Sequence, residues 1–118
     1  MPQITVDYSA PLADGFDRNG FALALHDAVV EIAAAKYEAC KTQFRATEDT
    51  TVGRDADGHA VVHVTLGLLA GRTDETKVQL TEAVLELLRA YVKPAEGTAL
   101  HASAEVRDLD PSYRKFDS

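Results

Sequence analysis

The chain has 118 residues, 46% of them hydrophobic and 26% charged, the length and composition of a globular protein with one core. A net charge of -7 argues against a general nucleic-acid surface, which needs a basic patch, and no apolar run is long enough to span a bilayer. The single cysteine, Cys40, excludes an internal disulfide and a CxxC zinc site; with no charged-then-apolar leader at the start, a cytoplasmic protein is expected.

The first predicted element is a strand in which Ile4, Val6 and Tyr8 alternate with Thr5 and Asp7. A loop from Ser9 to Gly20 follows, broken by Pro11 and Gly15. A helix is expected from about Phe21 to Lys36, where Leu25, Ala28, Val29 and Ile32 form one stripe. The alternation of Thr42, Phe44 and Ala46 with Gln43 and Arg45 predicts a polar edge strand over about Lys41 to Thr51. Gly53 to Gly58 reads as a turn.

The clearest strand runs from Ala60 to Leu69, with Val62, Val64, Leu66 and Leu68 on one face and His63, Thr65 and Gly67 on the other. Thr73 or Asp74 can cap the next helix, which runs to about Val92 with the stripe Leu80, Val84, Leu87, Leu88 and Tyr91. The last strand is expected over Ala99 to Arg107, with Leu100, Ala102, Ala104 and Val106 on one face. The polar tail from Asp110 reads as loosely held.

Strand, helix and strand therefore occur twice, over roughly 1–52 and 59–109, and Ile4-Thr5-Val6 overlays on Val64-Thr65-Leu66. Right-handed crossovers make the strands of each half parallel. The halves can join antiparallel into one four-stranded mixed sheet, with both helices on one face. The other face then carries Thr5, His63, Thr65 and Ser103. Such a face, too mixed for a core yet weakly charged, favours packing against another subunit over plain solvation.

Two residues stand out chemically. Pro2 can begin an edge strand without donating a hydrogen bond. If Met1 is removed, its ring nitrogen becomes a rigid secondary amine. An α-amino group titrates near 8; burial or a nearby cation lowers that value and makes the amine a general base at neutral pH. Arg72 follows a strand and precedes a helix, where a guanidinium can hold a carboxylate by two bonds; the plain alternative is pairing with Asp74 or Glu75. No His, Asp or Glu stands at metal-ligand spacing around His63, which reads as an interface histidine. His26 and Asp27 read as solvated, His59 and His101 have no visible partner, and Cys40 reads as a small apolar residue.

Met1-Pro2 opening a strand, Val62-His63-Val64-Thr65-Leu66, Ala70-Gly71-Arg72-Thr73-Asp74-Glu75 and Glu105-Val106-Arg107-Asp108-Leu109-Asp110-Pro111 together resemble the 5-carboxymethyl-2-hydroxymuconate Δ-isomerase family of the tautomerase superfamily. The resemblance spans nearly the whole chain and is strongest from Val61 to Tyr91. It implies an α+β fold of duplicated β-α-β units, a homotrimer without cofactor or metal, and a site near Pro2 completed at a subunit boundary. The implied reaction moves a proton in a carboxylated 2-hydroxymuconate, in the breakdown of homoprotocatechuate. Pro2 carries the proton and Arg72 binds the substrate acid. The family's second functional arginine falls on Lys41, which keeps the charge but not the fork, or, in a shifted register, on Arg45. Two further readings stay open: a tautomerase for another 2-hydroxydienoate or 2-oxo acid, and a non-catalytic small-ligand-binding module.

Overall fold

The computed structural model describes residues 1–118. Its strands are β1 (Gln3–Ser9), β2 (Lys41–Thr47), β3 (His59–Leu68) and β4 (Ala99–Asp108), and its long helices are α1 (Arg18–Ala33) and α2 (Asp74–Tyr91). The sheet order is β2-β1-β3-β4. Strands β1 and β2 run parallel, as do β3 and β4, while β1 and β3 join the halves antiparallel. This is the expected duplicated β-α-β sheet. No helix is long and apolar enough to cross a membrane.

The alternation within β1 and β3 puts Ile4, Val6 and Tyr8 beside Val62, Val64 and Leu66 on one face. There they meet Phe21, Leu25 and Val29 of α1 and Leu80, Val84 and Leu88 of α2 in one buried cluster. In α1 the fully buried stripe is Phe21, Leu25, Val29 and Ala33, whereas Ile32 is only partly buried. Leu87 and Tyr91 flank the buried stripe of α2. In β4, Leu100, Ala104 and Val106 pack against the core, but Ala102 is exposed on this edge strand.

Several boundaries differ from the sequence reading. Helix α1 begins at Arg18 rather than Phe21 because the Asp17 carboxylate accepts from Gly20 N at 3.0 Å and caps it. It ends at Ala33 because Ala34 turns left-handed, with φ of 56°. The segment after Ser9 is not irregular: Ala10–Gly15 is a 3-10 helix that buries Leu12. A second short 3-10 helix, Tyr37–Ala39, leads into β2, which stops at Thr47. Thr73 caps α2 by accepting from Thr76 N at 3.1 Å.

The C-terminal tail is held, contrary to the expectation of a loose segment. Leu109 N donates to Leu68 O at 2.7 Å, and Gln3 Nε2 donates to the Tyr113 hydroxyl at 3.1 Å. Gly67 makes the crossing possible. A Cβ there would stand 2.9 Å from Leu109 Cδ2 and 3.2 Å from the Gln3 carbonyl oxygen.

Candidate active site

The antiparallel register pairs Gln3 with Gly67, so the start of β1 lies where β3 leaves the sheet toward Arg72. Pro2 is fully buried there, and its carbonyl accepts from Lys41 N at 3.2 Å. A cavity of about 420 Å³ opens beside it, lined by Met1, Pro2 and Arg72. Ala34, Ala35 and Ala39 form its apolar wall, and Lys36, Glu38, Lys115 and Asp117 supply charge. A second cavity, of about 480 Å³, shares Ala34 and Arg72 with the first.

Arg72 has a structural duty as well as a free edge. Its Nη1 donates to Leu69 O at 3.1 Å and its Nη2 to Ala33 O at 3.0 Å. The second bond satisfies a carbonyl that the left-handed turn at Ala34 leaves open at the end of α1. Two of the five guanidinium N–H groups are thereby used, and three remain for an acid in the cavity. No carboxylate pairs with Arg72: Asp74 and Glu75 lie in the first turn of α2, and neither bridges to it.

The α-amino group of Met1, next to Pro2, is held below its ordinary value. Burial is the largest cause, followed by the positive charge of Arg72; Lys41 and Lys115 act in the same direction, and Cys40 opposes them. An amine at this point therefore gives up its proton more readily than an ordinary α-amine. Burial pushes the Cys40 thiol up, so it stays protonated and donates to Lys36 O.

The two candidates for a second cation are placed differently. Lys41 stands opposite Gln3 in the sheet register, and its charge is felt at the amine although it does not line the cavity. Arg45 lies opposite Asp7, four residues or about 13 Å further along the strand. It is bound there by two bonds to the Asp7 carboxylate, at 2.7 and 3.2 Å. Within one chain the structure brings together Pro2 and Arg72, keeps Lys41 adjacent, and leaves Arg45 outside.

Other polar groups also found partners that the sequence did not reveal. His26 meets Thr42 Oγ1 at 2.8 Å. On the bare face His59 stacks on His101, and His63 lies between Ser103 and Glu105. No group of three or more His, Cys, Asp or Glu side chains is arranged to hold a metal ion. The cavity residues missed by sequence reasoning are Lys36, Glu38, Lys115 and Asp117. For Lys115 and Asp117 the one available signal was the charged segment Arg114-Lys115-Phe116-Asp117 in a tail long enough to fold back; Lys36 and Glu38 had none.

Residues 2–117 match the sequence pattern of the 5-carboxymethyl-2-hydroxymuconate isomerases. The chain belongs to that family. Its membership makes it an isomerase. A 5-carboxymethyl-2-hydroxymuconate Δ-isomerase structure superposes on this family member with a TM-score of 0.82 at 13% identity, covering 100% of this chain and 89% of that one. The corresponding isomerase of Deinococcus radiodurans R1 gives 0.80 at 16%, covering 98% and 90%. A fused 4-OT described as a symmetric trimer gives 0.76 at 17%, covering 97% and 92%. These likenesses carry the fold, and the family match carries the isomerase assignment. No curated protein matches the chain.

Proposed function

We propose that this isomerase moves a proton in 5-carboxymethyl-2-hydroxymuconate, giving its 2-oxo-3-ene isomer, and works as a cytoplasmic homotrimer. The observation that carries the reading is the placement of buried Pro2 and Arg72 on one cavity whose surroundings lower the pKa of an amine. With Met1 removed, the proline nitrogen becomes a secondary amine next to the same cations, which disfavour its charged form.

The amine takes the proton of the substrate 2-hydroxyl as that O–H bond breaks. The electron pair forms the C2 carbonyl, the double bonds shift along the diene, and C5 receives the proton back from the proline. Negative charge builds on the C1 carboxylate and C2 oxygen in between. Arg72 faces that charge with its three spare N–H groups, and Lys41 adds a more distant cation. Lys36 and Lys115 make the cavity more cationic than the exterior of this acidic chain, which helps a multiply charged acid enter.

A tautomerase for another 2-hydroxydienoate is the second reading: if Lys41 rather than Arg45 takes the place of the family's second arginine, one bidentate carboxylate contact is lost. Ultraviolet-monitored turnover of 5-carboxymethyl-2-hydroxymuconate and of 2-hydroxymuconate separates the two readings by the larger kcat/KM. Pro2→Ala is expected to lower kcat by about 10²- to 10⁴-fold on the preferred substrate, the usual worth of general acid–base catalysis. Processed, folded wild type that turns over neither acid refutes the proposed reaction.

A further inference from the structure

The tail that crosses Gly67 ends at the mouth of the cavity. Lys115 lines that cavity with its side chain two-thirds covered, and its only carboxylate partner is Asp117, two residues on in the same tail. Asp117 is itself twice as exposed as Lys115 and lies beside the cavity. An anchored segment thus presents one ammonium to the same space as Arg72, held by an acid that solvent can take. We propose that Lys115 is a second carboxylate-binding residue of this site, and that an incoming dicarboxylate displaces Asp117 from it. The inference rests on the isomerase reading of the cavity and specifies its ligand class: acids with two separated carboxylates, one on Arg72 and the other on Lys115.

The exchange raises the number of ion pairs at the cavity from one to two. Before binding, Lys115 pairs with Asp117 and Arg72 bonds only to carbonyl oxygens. Afterwards, each cation carries one carboxylate of the ligand and Asp117 turns to water. A monocarboxylate satisfies Arg72 and has nothing to offer Lys115, so it leaves the tail pair intact. The cavity therefore discriminates by the number of carboxylates, at a cation that is not on the rigid scaffold but on the tail. Anchoring by Leu109 and Tyr113 holds that tail close enough to act.

The test is calorimetric binding of adipate and hexanoate, six-carbon acids with two carboxylates and one, to the wild type, Lys115→Ala, Lys115→Arg and Asp117→Asn. Wild type is expected to bind adipate more tightly. Lys115→Ala is expected to weaken adipate about tenfold more than hexanoate, the size of one lost charge-assisted hydrogen bond. Lys115→Arg keeps the preference, and Asp117→Asn strengthens adipate because its competitor is gone. Equal weakening of both acids by Lys115→Ala, or wild type that does not prefer adipate, overturns the proposal. If Lys115→Ala fails to fold, Asp117→Asn still decides: displacement predicts tighter adipate with hexanoate little changed, and tightening of both acids to the same degree, or of neither, overturns the proposal. These readouts need no turnover. A protein that shows the adipate preference yet isomerises no dienol would sink the catalytic reading alone.

Discussion

Arg72 shows how one side chain can serve both folding and chemistry. Its bond to Ala33 O closes the end of α1 and its bond to Leu69 O ties down the chain after β3, while the residue also lines the cavity with donors left over. Removing it exposes the last carbonyl of α1 and deletes a charge that lowers the amine pKa. Arg72→Ala is expected to cost about 1–3 kcal/mol of stability by thermal or denaturant unfolding. It is also expected to move the pH profile. A cation beside an amine disfavours the ammonium form, so its loss raises the amine pKa, and the acid limb of kcat/KM shifts to higher pH. Burial, the larger cause, remains, so the limb moves only part of the way toward its ordinary position. Lys41→Ala should shift it in the same direction by less. Arg45, engaged with Asp7 and away from the cavity, should not shift it within one subunit. The pairing of Pro2 with Arg72 was legible in the sequence only through the family resemblance; the register that pairs Gln3 with Gly67, and so puts the start of β1 at the exit of β3, came from the structure. The choice between Lys41 and Arg45 was not legible, since both lie on one face of β2 and only the register with β1 separates them.

Among the elements, strands and helices with strong periodicity were readable to within a few residues, and the misreadings fall where a single side chain sets a boundary. Asp17 starts α1 earlier than its apolar stripe suggests, and Ala34 stops it by adopting a conformation usually left to glycine. An L-residue in that region carries a cost of about 1 kcal/mol or more. Ala34→Gly is therefore expected to raise stability by about 0.5–1 kcal/mol, read as an increase in Tm with α1 unchanged by circular dichroism; a fall in Tm would show that the alanine methyl contributes more to the cavity wall than its backbone costs. The tail was misread for a different reason. Its composition is polar, and what holds it is one missing side chain at Gly67 together with Leu109 and the Gln3–Tyr113 bond, none of which has a periodic signature. Gly67→Val should force Leu109 off the sheet at a cost of about 1–3 kcal/mol. Trypsin is then expected to cut after Arg114 and Lys115 faster than in wild type, before the core opens.

At the scale of the whole molecule, the core lies entirely on the helix side of the sheet, and the opposite face is left with Thr5, Val61 and Thr65 half-buried among paired charges. That division makes assembly separable from folding. Thr65 points away from the core at a central position, paired with Thr5 of β1 and Glu105 of β4. In the proposed homotrimer, Thr65→Glu buries an unpaired charge at the interface without touching the helices. The native mass is expected to fall from three times 12.7 kDa to one, with the helical circular dichroism signal retained and a lower, concentration-independent Tm. A trimeric Thr65→Glu protein would place the interface elsewhere. Mixed trimers then locate the site residues. Pro2 and Arg72 line one cavity within one chain, so mixing Pro2→Ala with Arg72→Ala subunits leaves every subunit with one defect, and activity is expected to stay low. If a neighbour instead supplies the arginine, some sites in the mixture hold both residues and activity returns. Arg45 allows the converse outcome, because on its own chain it is remote from Pro2. Recovery on mixing Pro2→Ala with Arg45→Ala would assign Arg45 to the neighbour's site, whereas full activity of Arg45→Ala by itself would leave Lys41 as the second cation.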